Sequence, residues 1–306
     1  MTQNGNSKSP FHGLWALTNR ELKKLYKNPF LLFMTIIQPL IWLGLFGKAM
    51  NLSQIFTSTK YTDQTLSSAL PGLNSTQIGE VGTFLNGLGP KLLQQTFQTT
   101  SYFSFMSVGM VSFIVLFTCM FSGMSIVWDR RLGILNKLLS TPVARGSILM
   151  SKVFNSVIRS LMQAAIVLGI AFALGLTPGP DFNPVYLLGV FAAVFLLCMG
   201  LSSIFILIAI RSTNWQTQMA VMNLLNLPLL FASNALFPTS IMPSWLQDVA
   251  NVNPVSYATT ASRILVLDPL TAQNVKTLAM DFGVLGLFAV VFSTIGIMLS
   301  WRYLSR

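Results

Sequence analysis

Residues 127–152 read VWDRRLGILNKLLSTPVARGSILMSK, and this stretch decides how the rest of the chain is understood. It lies between two long apolar segments, and it sets Arg130, Arg131, Lys137, Arg145 and Lys152 against a single acid, Asp129. Ile134, Leu135, Leu138 and Leu139 fall at helical spacing, and Pro142 closes the run. The pattern predicts a short helix outside a membrane, with one apolar face for a partner or for the bilayer surface.

Composition puts the flanking segments in lipid. Of 306 residues, 53% are hydrophobic and only 9% are charged, with a mean hydropathy of +0.64. Soluble domains carry about 25% charge, and 9% cannot cover a water-facing surface of this size. The expected class is therefore an all-α integral membrane protein. Cys119 and Cys198 both lie in apolar runs and read as small packing residues rather than as a disulfide or metal pair. The first 29 residues are polar and basic, unlike a cleavable signal peptide, so the first apolar run is expected to stay as a span.

Upstream, residues 1–29 form a tail and a predicted interfacial helix. Leu14, Leu17, Leu22 and Leu25, joined by Trp15, give an approximate apolar face, and Arg20, Lys23, Lys24 and Lys27 give a basic edge. A solvated basic flank that only orients the next helix is the alternative. A single transmembrane domain follows over residues 30–300. Its six spans are expected near 30–46, 102–127, 153–176, 185–210, 219–237 and 281–300. The outer segment 47–101 is polar, with helical character from Val81 to Phe97 broken by Gly82, Gly87, Gly89 and Pro90. Asn51 and Asn74 match the glycosylation pattern. Pro39 is expected to bend the first span. Residues 128–152 form the connector after the second span, and residues 301–306 a short tail.

Residues 238–276 are too apolar for a simple loop. Ile241, Trp245, Leu246 and Val249 suggest two short helices dipping into the outer interface, the first opened by Pro243 and the two separated by Asn253-Pro254. Gln38, Arg159, Gln163, Asn223 and Asn226 are polar residues inside spans. They read as helix-packing groups, or as groups lining a path for a transported molecule. Arg159 in particular lies near enough to its span's start to snorkel outward.

Charge orients the chain. With six spans and both termini inside, thirteen of the nineteen Lys and Arg face inward and only five outward, Arg159 being in a span. The inner acids are Glu21 and Asp129 alone. This bias favours cytoplasmic termini in the cell membrane and accounts for the net charge of +11 without nucleic acid, since a basic inner face lies against anionic lipid.

Two separated motifs resemble those of the type-2 ABC exporter permeases, which include the daunorubicin-resistance and the polysaccharide and nodulation-factor export permeases. The first comprises Asp129, Arg130, Arg131, Gly133, Leu138, Leu139, Thr141, Pro142 and Arg145. The second comprises Phe237, Pro238, Pro243, Trp245, Leu246, Asn253, Pro254, Tyr257 and Arg263. The resemblance implies an exporter working as a homodimer, or with a second permease chain, on two cytoplasmic ABC ATPase subunits. Those subunits would carry the ATP and Mg, while this chain binds no cofactor or metal itself. It makes 128–152 the coupling segment, with Arg130, Arg131, Leu135, Leu138 and Pro142 touching the ATPase, and sets the helix of Trp15, Arg20, Lys23 and Lys24 beside it. The chain departs from the family at Arg130 to Leu132, where many relatives are Glu-rich, and in its long first outer segment.

The chain's own motifs agree. No glycine-rich loop ends in Gly-Lys-Ser or Gly-Lys-Thr, and the single histidine, His12, has no catalytic companion pattern, so the chain reads as a non-enzyme energised from outside. A secondary transporter would need membrane-embedded carboxylates, and the spans offer only Asp281 at an edge. A scaffold or receptor would need a sensory domain. An amphipathic drug, a lipid or a lipid-linked glycan is the substrate class expected from spans with so little charge.

Overall fold

A computed structural model describes residues 10–27, 33, 37–38, 40–45, 62–97, 99, 101–141, 145–212 and 214–304. Eight of the seventeen residues of the first predicted span, Pro39 among them, the site at Asn51, Pro142, residues 1–9 and residues 305–306 lie outside these residues, while 301–304 of the expected tail continue the last helix. The described part is helical. In chain order it comprises α1 (Pro10–Tyr26), α2 (Asp63–Ala69), α3 (Ser75–Phe97), α4 (Tyr102–Arg131), α5 (Ile134–Leu139), α6 (Arg145–Ala173), α7 (Tyr186–Arg211), α8 (Trp215–Phe231), α9 (Ser244–Val252), α10 (Pro254–Val266) and α11 (Ala272–Leu304). Gln38 and residues 40–45, between α1 and α2, are helical too.

Helix α4 is the axis of the body. Ser101 caps it by accepting from the Ser104 amide, and almost every residue from Tyr102 to Val127 is buried. A helix that is apolar all round belongs in a core. Around it pack α6, α7, α8 and α10, while α11 lies outside against α7, α10 and α6. Met280, Leu287, Val290 and Met298 leave α11 with an exposed apolar face. Among the described residues, α4, α6, α7 and α11 are long and apolar enough to cross a membrane. Helix α8 has 17 residues, about 26 Å of rise, and falls just short of that length. Cys119 and Cys198 meet across α4 and α7 with their sulfurs 3.5 Å apart, both as buried free thiols.

Several helices overrun the spans expected from hydropathy. Helix α4 continues to Arg131, α6 begins at Arg145 and α11 begins at Ala272, because polar residues extend a helix as readily as apolar ones and hydropathy marks only the apolar part. Helix α8 errs the other way. It starts at Trp215, capped by Asn214, and stops at Phe231, so residues 232–237, ASNALF, are not part of it. Helix α3 runs unbroken through its glycines and Pro90. Ile78, Val81, Gly82, Leu85 and Leu88 keep a buried or half-buried stripe at helical spacing, and that packing outweighs about 1 kcal/mol of lost propensity per glycine.

Residues 238–266 form a 3-10 turn (Thr239–Ile241), then α9 and α10. Pro243 precedes α9. Asn253 caps α10 by accepting from the Val255 amide at 3.0 Å, with Pro254 in the first turn. The same Asn253 donates to the Leu229 and Ala232 carbonyls at the end of α8, at 2.7 and 2.8 Å. Tyr257 closes the corner by donating to the Asn251 carbonyl. Helix α10 is buried over most of its length, not laid on a surface, whereas Ile241, Trp245, Val249 and Val252 of the preceding pair stay exposed.

Candidate functional site

The site is the step from α4 through α5 into α6, at the end of the body where α1 packs along α6. Gly133 makes the step possible. Its φ of +69° turns the chain out of α4 and into α5, in the left-handed region that a side chain would strain. Helix α5 is short, and it sets Leu135 inward, Leu138 and Leu139 half-buried, and Asn136 and Lys137 to the exterior. Ser140 and Thr141 end it by donating to the Lys137 and Leu138 carbonyls.

Behind this step lies a buried ionic cluster. Lys152 Nζ of α6 is 2.5 Å from Asp129 Oδ2 of α4 and 3.2 Å from Glu21 Oε1 of α1. Lys24 adds contacts of 3.1 Å to Glu21 and 3.6 Å to Asp129, and Arg20 contacts of 2.6 and 3.9 Å to the same two carboxylates. Lys152, Asp129 and Glu21 are nearly inaccessible, while Arg20 and Lys24 close the open side. Burial by itself pushes the Glu21 carboxyl up. The charge of Lys152 and the hydrogen bonds and charges of Arg20 and Lys24 outweigh it and hold the group down at about 2. Three helices distant in sequence are thereby locked at one point.

The structure sorts the sequence-predicted connector residues into separate places. Asp129 points into the cluster and is withheld from any partner surface. Arg130 and Arg131 lie on another side, lining a hollow shared with Asn214, Trp215 and Gln216 at the start of α8. Leu135 is packed away, whereas Leu138 and Leu139 are half-buried, as is Ile134, and Leu132 just before the step is exposed. Arg145 opens α6, and Pro142 lies outside the described residues. On α1, Arg20 and Lys24 join the cluster, whereas Lys23 and Trp15 face outward, so Trp15 does not share the inward face that Leu14 and Leu17 half-bury.

The polar span residues divide as well. Gln38, Arg159 and Gln163 come together, with Thr118, around a hollow of about 30 Å³, the room of one water. Thr118 donates to Gln163 Oε1 at 2.5 Å. Asn226 is buried beside Met222 on α8, while Asn223 faces outward, so these two do not share a face.

At the opposite end of α4, Arg263 of α10 is buried over the Phe105 ring, its guanidinium carbon 3.5 Å from the ring centre. It donates to the Asn234 carbonyl at 2.7 Å and the Ala235 carbonyl at 3.0 Å. Gly109 is required there, because a β-carbon would run into the Ala235 carbonyl oxygen. Pro238 lies on the rim of the same corner, in a hollow also lined by Arg263 and Asp268.

Sequence reasoning missed the partnership of Glu21 and Lys152. The signal was present in the charge tally: Glu21 and Asp129 are the only acids in two otherwise basic segments, and isolated acids of that kind seek buried cations.

The profile of the family described as ABC-2 type transporter matches residues 12–267, and the match spans both the ionic cluster and the Arg263 corner. This chain belongs to the ABC-2 type transporter family. A putative transport permease ycf38 of Cyanophora paradoxa is 30% identical over 253 residues, covering 82% of this ABC-2 chain and 73% of the relative. A putative transport permease ycf38 of Pyropia yezoensis is 29% identical over 252 residues, covering 82% and 72%. A daunorubicin resistance ABC transporter permease protein, DrrB1, of Streptomyces coeruleorubidus is 26% identical over 171 residues, covering 55% and 59%. The ABC-2 chain is thus a helical membrane component of transport. Among its described residues, no three His, Cys, Asp or Glu side chains gather where a metal ion would bind.

Proposed function

We propose that this protein is the permease subunit of an ATP-driven exporter, with six spans and both termini on the cytoplasmic side of the cell membrane. Two ABC ATPase subunits, carrying the ATP and Mg, dock against the outward side of α5. Leu138 and Leu139 form the apolar contact and Lys137 lies beside them. The observation that carries this reading is the Glu21–Asp129–Lys152 cluster. It fixes α1, α4 and α6 to one another immediately behind α5, so that α5 stands on a rigid base. Coupling needs ATPase states that bind two permease states with different free energy, and a short helix on a rigid base is one way to transmit that difference.

A second copy of the chain completes the transporter. Leu224, Leu225, Leu227 and Phe231 give α8 an exposed apolar face, continuous with Val249 and Val252 of α9, and this face supports pairing of two permeases around a path. The path would carry an amphipathic drug, lipid or lipid-linked glycan outward. Co-purification with the ATPase, and vesicle transport over a substrate panel, test the assignment. If L138D/L139D recruits the ATPase and transports as the parent does, the coupling role of α5 is wrong.

A further inference from the structure

The hollow between the end of α4 and the start of α8 has no part in the α5 contact proposed above. Its volume is about 600 Å³, and it is lined by Arg130, Arg131, Asn214, Trp215 and Gln216. Every one of these side chains carries N–H donors. Among the described residues neither arginine has an ion pair. Asp129, the acid next to them in sequence, is taken up by Lys152 in the buried cluster. Arg130 spends one donor on the Ser212 carbonyl at 3.3 Å, and Arg131 is exposed. Asn214 uses its side-chain oxygen to cap α8, which leaves its amide nitrogen for a ligand. Trp128 and Trp215 meet with ring centres 4.8 Å apart at the rim, and Trp128 is 44% exposed.

Two guanidinium groups, an indole and two amides, with no carboxylate among them, are a donor set for a phosphate. The level of the hollow names its source. The long apolar run of α4 ends here and that of α7 ends beside it at Arg211, so the hollow sits where helices leave the hydrocarbon. Tryptophans collect at this headgroup layer, and basic side chains there meet anionic lipid. We propose that this hollow binds the phosphate of an anionic phospholipid, and that Arg130 and Arg131 serve the bilayer, leaving the ATPase contact to α5. The occupant is a fixed headgroup between two helix ends, which the general attraction of a basic surface does not require.

The test uses the full chain without an ATPase, reconstituted in phosphatidylcholine vesicles containing brominated phosphatidylglycerol, or brominated phosphatidylcholine at equal bromine. Tryptophan quenching is the readout. Quenching is expected to be stronger with the brominated phosphatidylglycerol, and R130Q/R131Q is expected to lose most of that preference, about fivefold for each arginine removed. R131Q alone changes an exposed side chain and provides the readout should the double variant fail to fold; it too is expected to lower the preference about fivefold. Equal quenching by the two lipids, an unchanged preference in R131Q, or displacement of the phosphatidylglycerol by millimolar inorganic phosphate each overturns the lipid site. The last of these makes it a site for free anions. Because no ATPase is present, these outcomes are separate from the fate of the α5 contact.

Discussion

Lys152 of α6 reaches Asp129 of α4 and Glu21 of α1 at once, with Nζ–O distances of 2.5 and 3.2 Å. One ammonium holds together residues 131 positions apart in the chain, and it does so at the foot of α5. Buried charges of this kind contribute little when complete, and removing one member is costly because the others are left unpaired.

Replacing that ammonium is therefore expected to be severe. Lys152→Met leaves two buried carboxylates without their central cation and is expected to lower stability by about 3–5 kcal/mol. Trypsin should then cut at Lys23 and Lys24, because α1 is no longer held. The double variant K152M/D129N should be closer to the parent than K152M alone, since it removes a charge that would otherwise be stranded. Thermal unfolding in detergent and the tryptic pattern check both outcomes.

Acid should undo the same joint from the α1 side. Glu21 titrates ordinarily at 4.5 and is held at about 2 in the fold. A depressed carboxyl contributes stability that is fully present above about pH 4.5 and is lost as pH falls toward 2. A spin label at Ala16, on the exposed side of α1, should report a docked helix from neutral pH down to about 4.5 and a loosened one below. E21Q should show no such acid-dependent step. A release of α1 near pH 6 would contradict the assignment.

The leucine pair on α5 makes a different prediction. L138D/L139D alters two half-buried side chains that contribute nothing to the ionic cluster, so folding and membrane insertion should survive. Each leucine is worth about 1.5–3 kcal/mol when fully covered by a partner, and ATPase recovery on co-purification should fall at least tenfold. A matched K137Q variant should change recovery far less.

At the other end, Gly109 admits the turn at Ala235 that Arg263 grips. Gly109→Ala forces a methyl group against the Ala235 carbonyl and is expected to lower stability by about 1–3 kcal/mol. Gly79→Ala, where nothing stands within 4 Å of the added carbon, should be neutral or slightly stabilising. Parallel melting curves decide between them.

Much of this arrangement was legible in the sequence because hydropathy and punctuation are local signals. The long apolar runs announced α4, α6, α7 and α11, and Pro243 with Asn253-Pro254 marked the starts of α9 and α10. The glycines of α3 misled, since a glycine records a local cost and says nothing of the packed stripe that offsets it. The end of α8 was misplaced because Ala235, Leu236 and Phe237 resume the apolar run after Ser233 and Asn234. Residues 232–237 turn aside to offer carbonyls to Arg263, which lies 28 residues beyond Ala235. The ionic cluster was hardest to see. Spacing relates Asp129 to its neighbours in the connector, and only the fold relates it to Glu21 and Lys152.

Phe105 and Asp129 are 24 residues apart on one unbroken helix, roughly 36 Å of rise. Near one end α4 is pinned by Arg263, and near the other by Lys152. A stiff rod fastened at two points cannot be tilted at its foot without loading the fastening at its head. A push delivered at α5 would therefore arrive at the Arg263 corner as strain on the carbonyls of Asn234 and Ala235, with no messenger needed in between but the rigidity of the helix itself.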